Sequence, residues 1–153
     1  MKVLGIDLGS ARVGLALSDD LGMLAHPLET VKVKGANDLV AHVAEVIRRE
    51  KVEMVIIGLP RNMDGSLGPA AEKTREFGEK LRAKTAGCDI RFWDERMTTV
   101  AAQKALHERG LNIKNSRSLV DQVAAQMILQ GYLDAKAMQE PMQEPMQEPF
   151  QEP

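Results

Sequence analysis

The sequence has very little cysteine and no long hydrophobic run. Cys88 is the single cysteine among 153 residues, so no disulfide can form within the chain. That is typical of a protein in a reducing compartment. No apolar run approaches the ~20 residues that a membrane-spanning helix requires. The sequence starts directly with strand-like residues instead of a secretory signal. We therefore expect a cytoplasmic protein. The three histidines also lack the mutual spacing of a zinc site.

The chain also lacks a strong excess of either charge. Its formal net charge is -2, but the last sixteen residues carry four of the 22 acidic residues and no basic residue. Residues 1–137 therefore hold 20 basic against 18 acidic residues, a net charge of +2. A slightly basic folded part is compatible with nucleic-acid binding but does not by itself indicate it.

The C-terminal segment, residues 138–153, repeats Met-Gln-Glu-Pro three times and ends in Phe-Gln-Glu-Pro. A proline at every fourth position removes backbone donors and disfavours both a helix and an inner strand. We predict one folded domain over residues 1–137, followed by a disordered, extended tail over 138–153. A docking motif for an unidentified partner is the alternative interpretation of the repeats.

Residues 1–137 alternate between strand-like and helix-like segments. Strands are predicted at 2–8, 13–18, around 28–33, at 54–59 and at 89–93. Helices are predicted from 37 or 38 to about 50, from 69 to about 84, from 98 or 99 to about 109, and from about 118 to 135. A hairpin start followed by this alternation predicts an α/β fold. Its mixed sheet begins antiparallel, continues with parallel strands and carries helices on both faces.

Three acidic residues occupy positions where an acid is unfavourable. Asp7 ends an apolar run typical of a buried strand, and Glu95 ends another strand. Asp121 shares one face of the last predicted helix with Ala124, Ala125 and Ile128. Two alanines on that face would let the helix lie close to the sheet. Because ligands gather at the carboxyl ends of parallel strands, we expect the three carboxylates to converge there.

Each acid alone has a structural explanation. Asp7 can cap a loop, Glu95 can pair with Arg91 or Arg96, and Asp121 can favour a helix N-terminus. Three converging carboxylates, however, repel one another unless cations lie between them. Oxygen-rich sites of this kind suit Mg²⁺ or Mn²⁺. Such ions activate water and stabilise the leaving oxygen in phosphodiester cleavage.

The stretch from Asp7 to Gly14 also resembles the first phosphate loop of actin-like and sugar-kinase-like ATPases. That class needs a second Asp-x-Gly phosphate loop and a duplicated domain. The sequence contains no duplicated domain that could carry a second loop of that kind and has about half the necessary length. The later acids, Glu95 and Asp121, favour a nuclease instead.

Four motifs stand out along residues 1–136: Gly5-Ile-Asp7-Leu-Gly9-Ser-Ala-Arg12-Val-Gly14, Gly58-Leu-Pro60-Arg-Asn-Met-Asp-Gly65, Asp94-Glu95-Arg96-Met-Thr-Thr99 and Asp121-Gln-Val-Ala-Ala125. In sequence, order and spacing they together resemble the YqgF family, Holliday-junction resolvases with a ribonuclease H-like fold. The resemblance covers about residues 1–136 and excludes the repeated tail.

The resemblance implies that Asp7, Glu95 and Asp121 are the catalytic carboxylates and bind Mg²⁺ or Mn²⁺. It places Arg12 and Arg96 near a scissile phosphate, although either can instead pair with a carboxylate. It makes Asn62 a substrate-facing residue, whereas a simple turn at Asp64-Gly65 is the alternative.

Lys114, in the loop before the last helix, is a further candidate for substrate binding, as part of a basic rim. The family is linked to junction cleavage and to maturation of the 5′ end of precursor 16S ribosomal RNA. Branched DNA or precursor rRNA is therefore the expected partner, and a homodimer is expected on a two-fold symmetric junction. A non-catalytic nucleic-acid or ribosome-assembly binding protein on the same fold is the alternative function.

Overall fold

The computed structural model describes residues 1–60, 62, 64–94 and 117–139. Five strands and three helices lie within these ranges, and none of these helices is long and apolar enough to cross a membrane. In chain order they are β1 (Val3–Leu8), β2 (Arg12–Ser18), β3 (Ala25–Lys32), α1 (Ala36–Glu50), β4 (Met54–Leu59), α2 (Pro69–Lys84), β5 (Asp89–Asp94) and α3 (Arg117–Gln139). The helix predicted from 98 or 99 to about 109 lies outside the described residues.

The five strands form one mixed sheet in the order β3-β2-β1-β4-β5. Strands β1, β2 and β3 pair antiparallel, whereas β4 pairs parallel with both β1 and β5. The predicted hairpin start, the parallel continuation and the α/β class are therefore confirmed. The parallel strands β1, β4 and β5 all end at the same edge of the sheet, which we call the carboxyl edge.

Both faces of the sheet are covered because successive side chains of a strand point to opposite faces. On β1, Leu4 and Ile6 pack into a core with α1 and α2, whereas Val3 packs into a second core with α3. On β4, Val55 and Ile57 join the first core and Ile56 joins the second. This two-sided burial explains why β1 and β4 are nearly continuous apolar runs.

Two boundaries differ from the sequence-based prediction. Strand β3 begins at Ala25, about three residues earlier than expected, and includes Pro27. This proline is tolerated because β3 is an edge strand. Helix α3 extends to Gln139, four residues beyond the predicted end at 135, so the first two residues of the repeat are helical. The division into a domain over 1–137 and a disordered tail over 138–153 stays a prediction. Helix formation there is unhindered because the first proline of the repeat is Pro141.

Helix α3 lies almost against the backbone of β1 and β2. A Cβ atom added to Gly5 would be 2.7 Å from the Cβ of Leu129, and one added to Gly14 would be 1.9 Å from the backbone oxygen of Asp121. Real Cβ atoms do not approach other atoms so closely. The two glycines therefore allow the close packing that places the first turns of α3 over the hairpin.

We expect Gly14→Ala to destabilise the protein, because its methyl group can be accommodated only if α3 moves away from the sheet. Forcing extra atoms into a packed contact costs on the order of 1–3 kcal/mol. Urea unfolding followed by circular dichroism measures the difference. Gly35→Ala is the control, since no atom lies within 4 Å of a Cβ added there. Equal unfolding free energies for the two variants would contradict the proposed close packing.

Candidate active site

The carboxyl edge collects the polar residues that follow three neighbouring strands. Asp7 lies near the end of β1, the loop containing Asn62 follows β4, and Asp94 ends β5. The β4–β5 register pairs Leu59 with Asp94 at this edge. Because β4 separates β1 from β5, the β1 and β5 backbones lie roughly 10 Å apart there. Side chains at the ends of β1 and β5 can therefore approach one another across the end of β4.

Asp7 belongs to the face of the sheet that α3 covers. It follows Val3 and Gly5 at alternate positions of β1, and both of these contact the α3 side. Its partner across the hairpin is Gly14, and the backbone of Asp121 lies directly against that glycine. The close packing of α3 thus brings Asp121 beside Asp7, as the sequence predicted for these two acids.

Arg12 is paired with Asp121. Its Nε–H donates to Asp121 Oδ2 at 2.6 Å, and the side chains of Arg12 and Asp121 are 32% and 21% exposed. Arg12 begins β2, where its carbonyl accepts a hydrogen bond from the Gly9 N–H at 3.1 Å across the hairpin turn. The carbonyl of Ala11 accepts another from the Val33 N–H. The turn therefore fixes the backbone of Arg12 next to the two acids.

Asp7 and Asp121, which we call the acid pair, are electrostatically unfavourable neighbours when both carboxylates are charged. The pKa of Asp7 is raised from its ordinary value of 3.8, first because burial disfavours its charged form and second because the Asp121 carboxylate repels it. No described residue donates a hydrogen bond to the Asp7 side chain. The loop-capping explanation for Asp7 therefore has no support among these residues. A cation beside Asp7 would lower the cost of its charge.

Asp121 is the fifth residue of α3, beyond the first turn in which the helix macrodipole acts most strongly. The helix N-terminus therefore does not explain its position. Its placement is explained instead by the contact of its backbone with Gly14 and by the ion pair with Arg12. Both contacts orient Asp121 toward the sheet and away from bulk solvent.

Three predicted site residues, Glu95, Arg96 and Lys114, lie outside the described residues. Within the described ranges no three carboxylate, histidine or cysteine side chains form a metal-binding group. The side chains of Asp7 and Asp121 carry carboxylate oxygens, which are the donors that Mg²⁺ and Mn²⁺ prefer. The donor set fits such an ion and gives no support to a zinc site. Arg91, one alternative partner predicted for Glu95, forms an ion pair with Asp89 at 3.0 Å, and the predicted pairing with Glu95 stays a prediction.

Asn62 lies in a tight turn after β4. Its backbone N–H donates to the Ser66 carbonyl at 2.9 Å, and its side-chain amide donates to Ser66 Oγ at 2.9 Å. Asp64 Oδ1 accepts hydrogen bonds from the backbone N–H and the hydroxyl of Ser66. The turn interpretation is thus correct for the local structure. The exposed Asn62 stays available at the carboxyl edge, so a substrate-facing role remains a prediction.

Two other features are separate from the acid pair. Trp93 packs against the α3 core and contacts Tyr132 edge to face, with ring centroids 5.8 Å apart. A cavity of about 530 Å³ lies on the opposite face between α1 and α2, with Leu39 and Phe77 in its wall. Neither Asp7 nor Asp121 lines this cavity.

Sequence reasoning missed the two glycines that position the site. It attributed the close approach of α3 to the paired alanines, and Ala125 is indeed fully buried, but Ala124 is only partly buried. Gly5 and Gly14 make the approach possible from the side of the sheet. The available signal was a glycine in the interior of each hairpin strand, which often marks the close approach of another backbone.

The chain is similar in sequence to a known protein family and to several of its members. A family model described as RuvX, Holliday junction resolvase, matches residues 1–135. A "Putative pre-16S rRNA nuclease" of Moorella thermoacetica is 47% identical over 134 residues, which cover 88% of this chain and 95% of that protein. A relative of the same name from Halalkalibacterium halodurans is 42% identical over 141 residues, covering 91% of this chain and 100% of that protein.

Two solved structures share the fold. Thermus thermophilus RuvC in complex with a Holliday junction substrate has a TM-score of 0.61 at 22% identity, covering 89% of this chain and 96% of that one. The fowlpox virus resolvase in complex with Holliday junction DNA has a TM-score of 0.54 at 12% identity, covering 89% and 99%. At this identity the similarity concerns the fold alone, and it confirms the predicted ribonuclease H-like architecture.

The raised pKa of Asp7 predicts that its replacement stabilises the protein at neutral pH. The folded protein binds the Asp7 proton more tightly than the unfolded chain does. The free energy of unfolding therefore falls as pH rises from 3.8 through the raised pKa. We expect Asp7→Asn to remove this fall in the free energy of unfolding, because asparagine carries no charge at any of these pH values. Its advantage over the wild type should grow across that pH range, measured by urea unfolding in the presence of a chelator.

Asp19→Asn is the matched control with the opposite sign. The pKa of Asp19 is lowered, chiefly because its carboxylate accepts a hydrogen bond from the backbone N–H of Met23. That stabilisation is present at neutral pH and is lost as pH falls through the lowered pKa. An Asp7→Asn variant that is less stable than the wild type at neutral pH would show that the acid is not electrostatically unfavourable there.

Proposed function

Since this chain belongs to the RuvX family of Holliday junction resolvases, we propose that it is a metal-dependent endonuclease. It hydrolyses phosphodiester bonds in structured nucleic acid. The observation that carries the proposal is the pair formed by Asp7 and Asp121 at the carboxyl edge, with Arg12 beside it. The charge of the partly buried Asp7 beside Asp121 raises the free energy of the folded protein, and a bound divalent cation would offset that cost, as is typical of functional sites.

In this proposal Asp7, Glu95 and Asp121 hold one or two Mg²⁺ or Mn²⁺ ions. A bound ion supplies an activated water and stabilises charge on the leaving oxygen. The chain's own contribution is orientation. Strand β1 fixes Asp7, and the contact of α3 with Gly14 fixes Asp121. Glu95 directly follows β5, which ends at the same edge. No covalent intermediate with the protein is involved.

Four further residues are proposed to bind the nucleic acid. Arg12 and Arg96 contact the phosphate that is cleaved, Lys114 contacts a neighbouring phosphate, and Asn62 faces the substrate from the turn after β4. Arg12 is supported by its position beside Asp121, at 2.6 Å. Asn62 is supported by its exposed position at the carboxyl edge. Phosphate contacts of this kind supply affinity without sequence specificity.

The substrate is proposed to be branched DNA, precursor 16S rRNA, or both. Relatives at 47% and 42% identity carry the name of a pre-16S rRNA nuclease, and the matching family is described as a junction resolvase. If the substrate is a four-way junction, two symmetric strands must be cut, which requires a homodimer or pairing of two copies on the junction. The protein is proposed to act in the cytoplasm.

We expect Asp7→Asn and Asp121→Asn each to lower the cleavage rate by more than about a hundredfold. That exceeds the loss typical of removing a residue that only supports a metal ligand. The measurement is cleavage of labelled four-way junction DNA, single-stranded DNA and precursor rRNA, each with Mg²⁺ and with Mn²⁺. Asp89→Asn is the control, because Asp89 begins β5 at the opposite end of the sheet and pairs with Arg91.

Binding by the same variants separates a nuclease from a protein that only binds. Removing one negative charge near the phosphates should leave nucleic-acid affinity unchanged or slightly higher in Asp7→Asn. If the wild type binds these substrates but cleaves none of them with either metal, a non-catalytic binding protein is the correct assignment. Wild-type cleavage by pure Asp7→Asn protein would exclude Asp7 as a metal ligand.

A further inference from the structure

The guanidinium of Arg12 uses only one of its nitrogens in the described structure. Its Nε donates to Asp121 Oδ2, and no other acceptor among the described residues contacts it. A guanidinium carries five N–H donors in a rigid plane. The two terminal nitrogens, with four N–H groups, therefore have no acceptor among residues 1–60, 62, 64–94 and 117–139. With the side chain 32% exposed, these nitrogens can reach a bound molecule.

Only one of the two carboxylate oxygens of Asp121 accepts a hydrogen bond from the described residues. Its Oδ2 accepts the hydrogen bond from Arg12, whereas Oδ1 accepts none from the described residues. A carboxylate whose one oxygen is hydrogen-bonded keeps the other for a metal ion, and such support orients metal-ligating carboxylates in proteins. Asp7 is the cross-strand partner of Gly14, against which the backbone of Asp121 packs, so the two acids lie beside each other on the face of the sheet that α3 covers.

We propose that Arg12 is a positioning residue that links the metal ligand Asp121 to the substrate phosphate. Its Nε holds Asp121 Oδ2, so that Oδ1 faces the metal ion, while its two terminal nitrogens bind the non-bridging oxygens of a phosphate group. The inference rests on the proposed nuclease function. In addition, metal binding and nucleic-acid binding strengthen each other through the side chain of Arg12.

Arginine is required for this double role. Its planar fork binds a carboxylate and a phosphate through different nitrogens at once, whereas lysine provides a single ammonium group on a flexible stem. A lysine at position 12 keeps the charge but cannot keep both contacts. Arg12→Lys therefore separates the linking role from the general attraction between a positive charge and phosphates.

The experiment measures the affinity of the full chain for labelled four-way junction DNA and precursor rRNA, with a chelator and with Mg²⁺ at equal ionic strength. Fluorescence anisotropy is read before cleavage products accumulate, as checked by gel. The quantity of interest is the ratio of the two dissociation constants. Coupled sites typically change each other's affinity by about 5–150-fold, and we expect a ratio in that range for the wild type.

We expect Arg12→Lys to bind nucleic acid more weakly than the wild type in the chelator, because lysine keeps the charge but loses the two-nitrogen contact with the phosphate. Its gain on adding Mg²⁺ should fall below about twofold, because the coupling is lost. Arg12→Gln keeps a hydrogen-bond donor for Asp121 but lacks the charge and the fork, and its gain should be equally small. Should one of the two variants fail to fold by circular dichroism, the other decides the question.

Lys32→Gln is the matched control. Lys32 is the exposed cross-strand partner of Arg12 in the β2–β3 register, so its removal takes one positive charge from the same surface without touching Asp121. This variant should bind more weakly with and without Mg²⁺ and keep the wild-type ratio. A wild-type ratio in Arg12→Lys, or no effect of Mg²⁺ on binding by the wild type, would overturn the inference.

Cleavage by the wild type is recorded in parallel, so that the two proposals fail separately. If the wild type cleaves and Arg12→Lys keeps the full gain from Mg²⁺, the nuclease function stands and the linking role is wrong. If the wild type shows the gain and Arg12→Lys loses it, but no substrate is cleaved, the linking role stands in a protein that binds without cleaving.

Discussion

The contact between the backbone of α3 and the two glycines of the hairpin is the constraint on which the rest of the site depends. Only a residue without a Cβ leaves room for Leu129 over Gly5 and for the Asp121 carbonyl over Gly14. Since Gly14 is the cross-strand partner of Asp7, the same contact sets the distance between the two acids. A packing feature of the fold thus determines the electrostatics of the site.

Those electrostatics are unfavourable until positive charge is supplied. Burial and the neighbouring Asp121 both disfavour the charged form of Asp7. Arg12 neutralises one acid from the side of β2, and the family to which the chain belongs acts on nucleic acid. A divalent cation bound beside Asp7 would offset the remaining cost, because a bound ion is often the largest local charge in such a site.

Much of the fold followed from local pattern. The buried apolar run at Met54–Leu59 predicted a parallel strand, and Pro69 marked the first residue of α2, both as observed. Predictions were less accurate at the edges of the fold. Strand β3 starts before Pro27, because an edge position tolerates proline. Helix α3 runs into the repeat, because Met138 and Gln139, the first two residues of the repeat, precede its first proline. The edge position of β3 depends on how the other strands pair, which local pattern does not contain.

The sequence by itself determined the α/β class, the order of the elements, the family, and the identity of Asp7 and Asp121 as acids in costly positions. These follow from the period of the apolar residues and from the energetic cost of a buried carboxylate. The tertiary structure decided which groups meet. It paired Arg12 with Asp121 across 109 residues of chain, and it placed α3 against Gly5 and Gly14. Distances between remote segments arise from packing of the whole chain, which no local sequence pattern encodes.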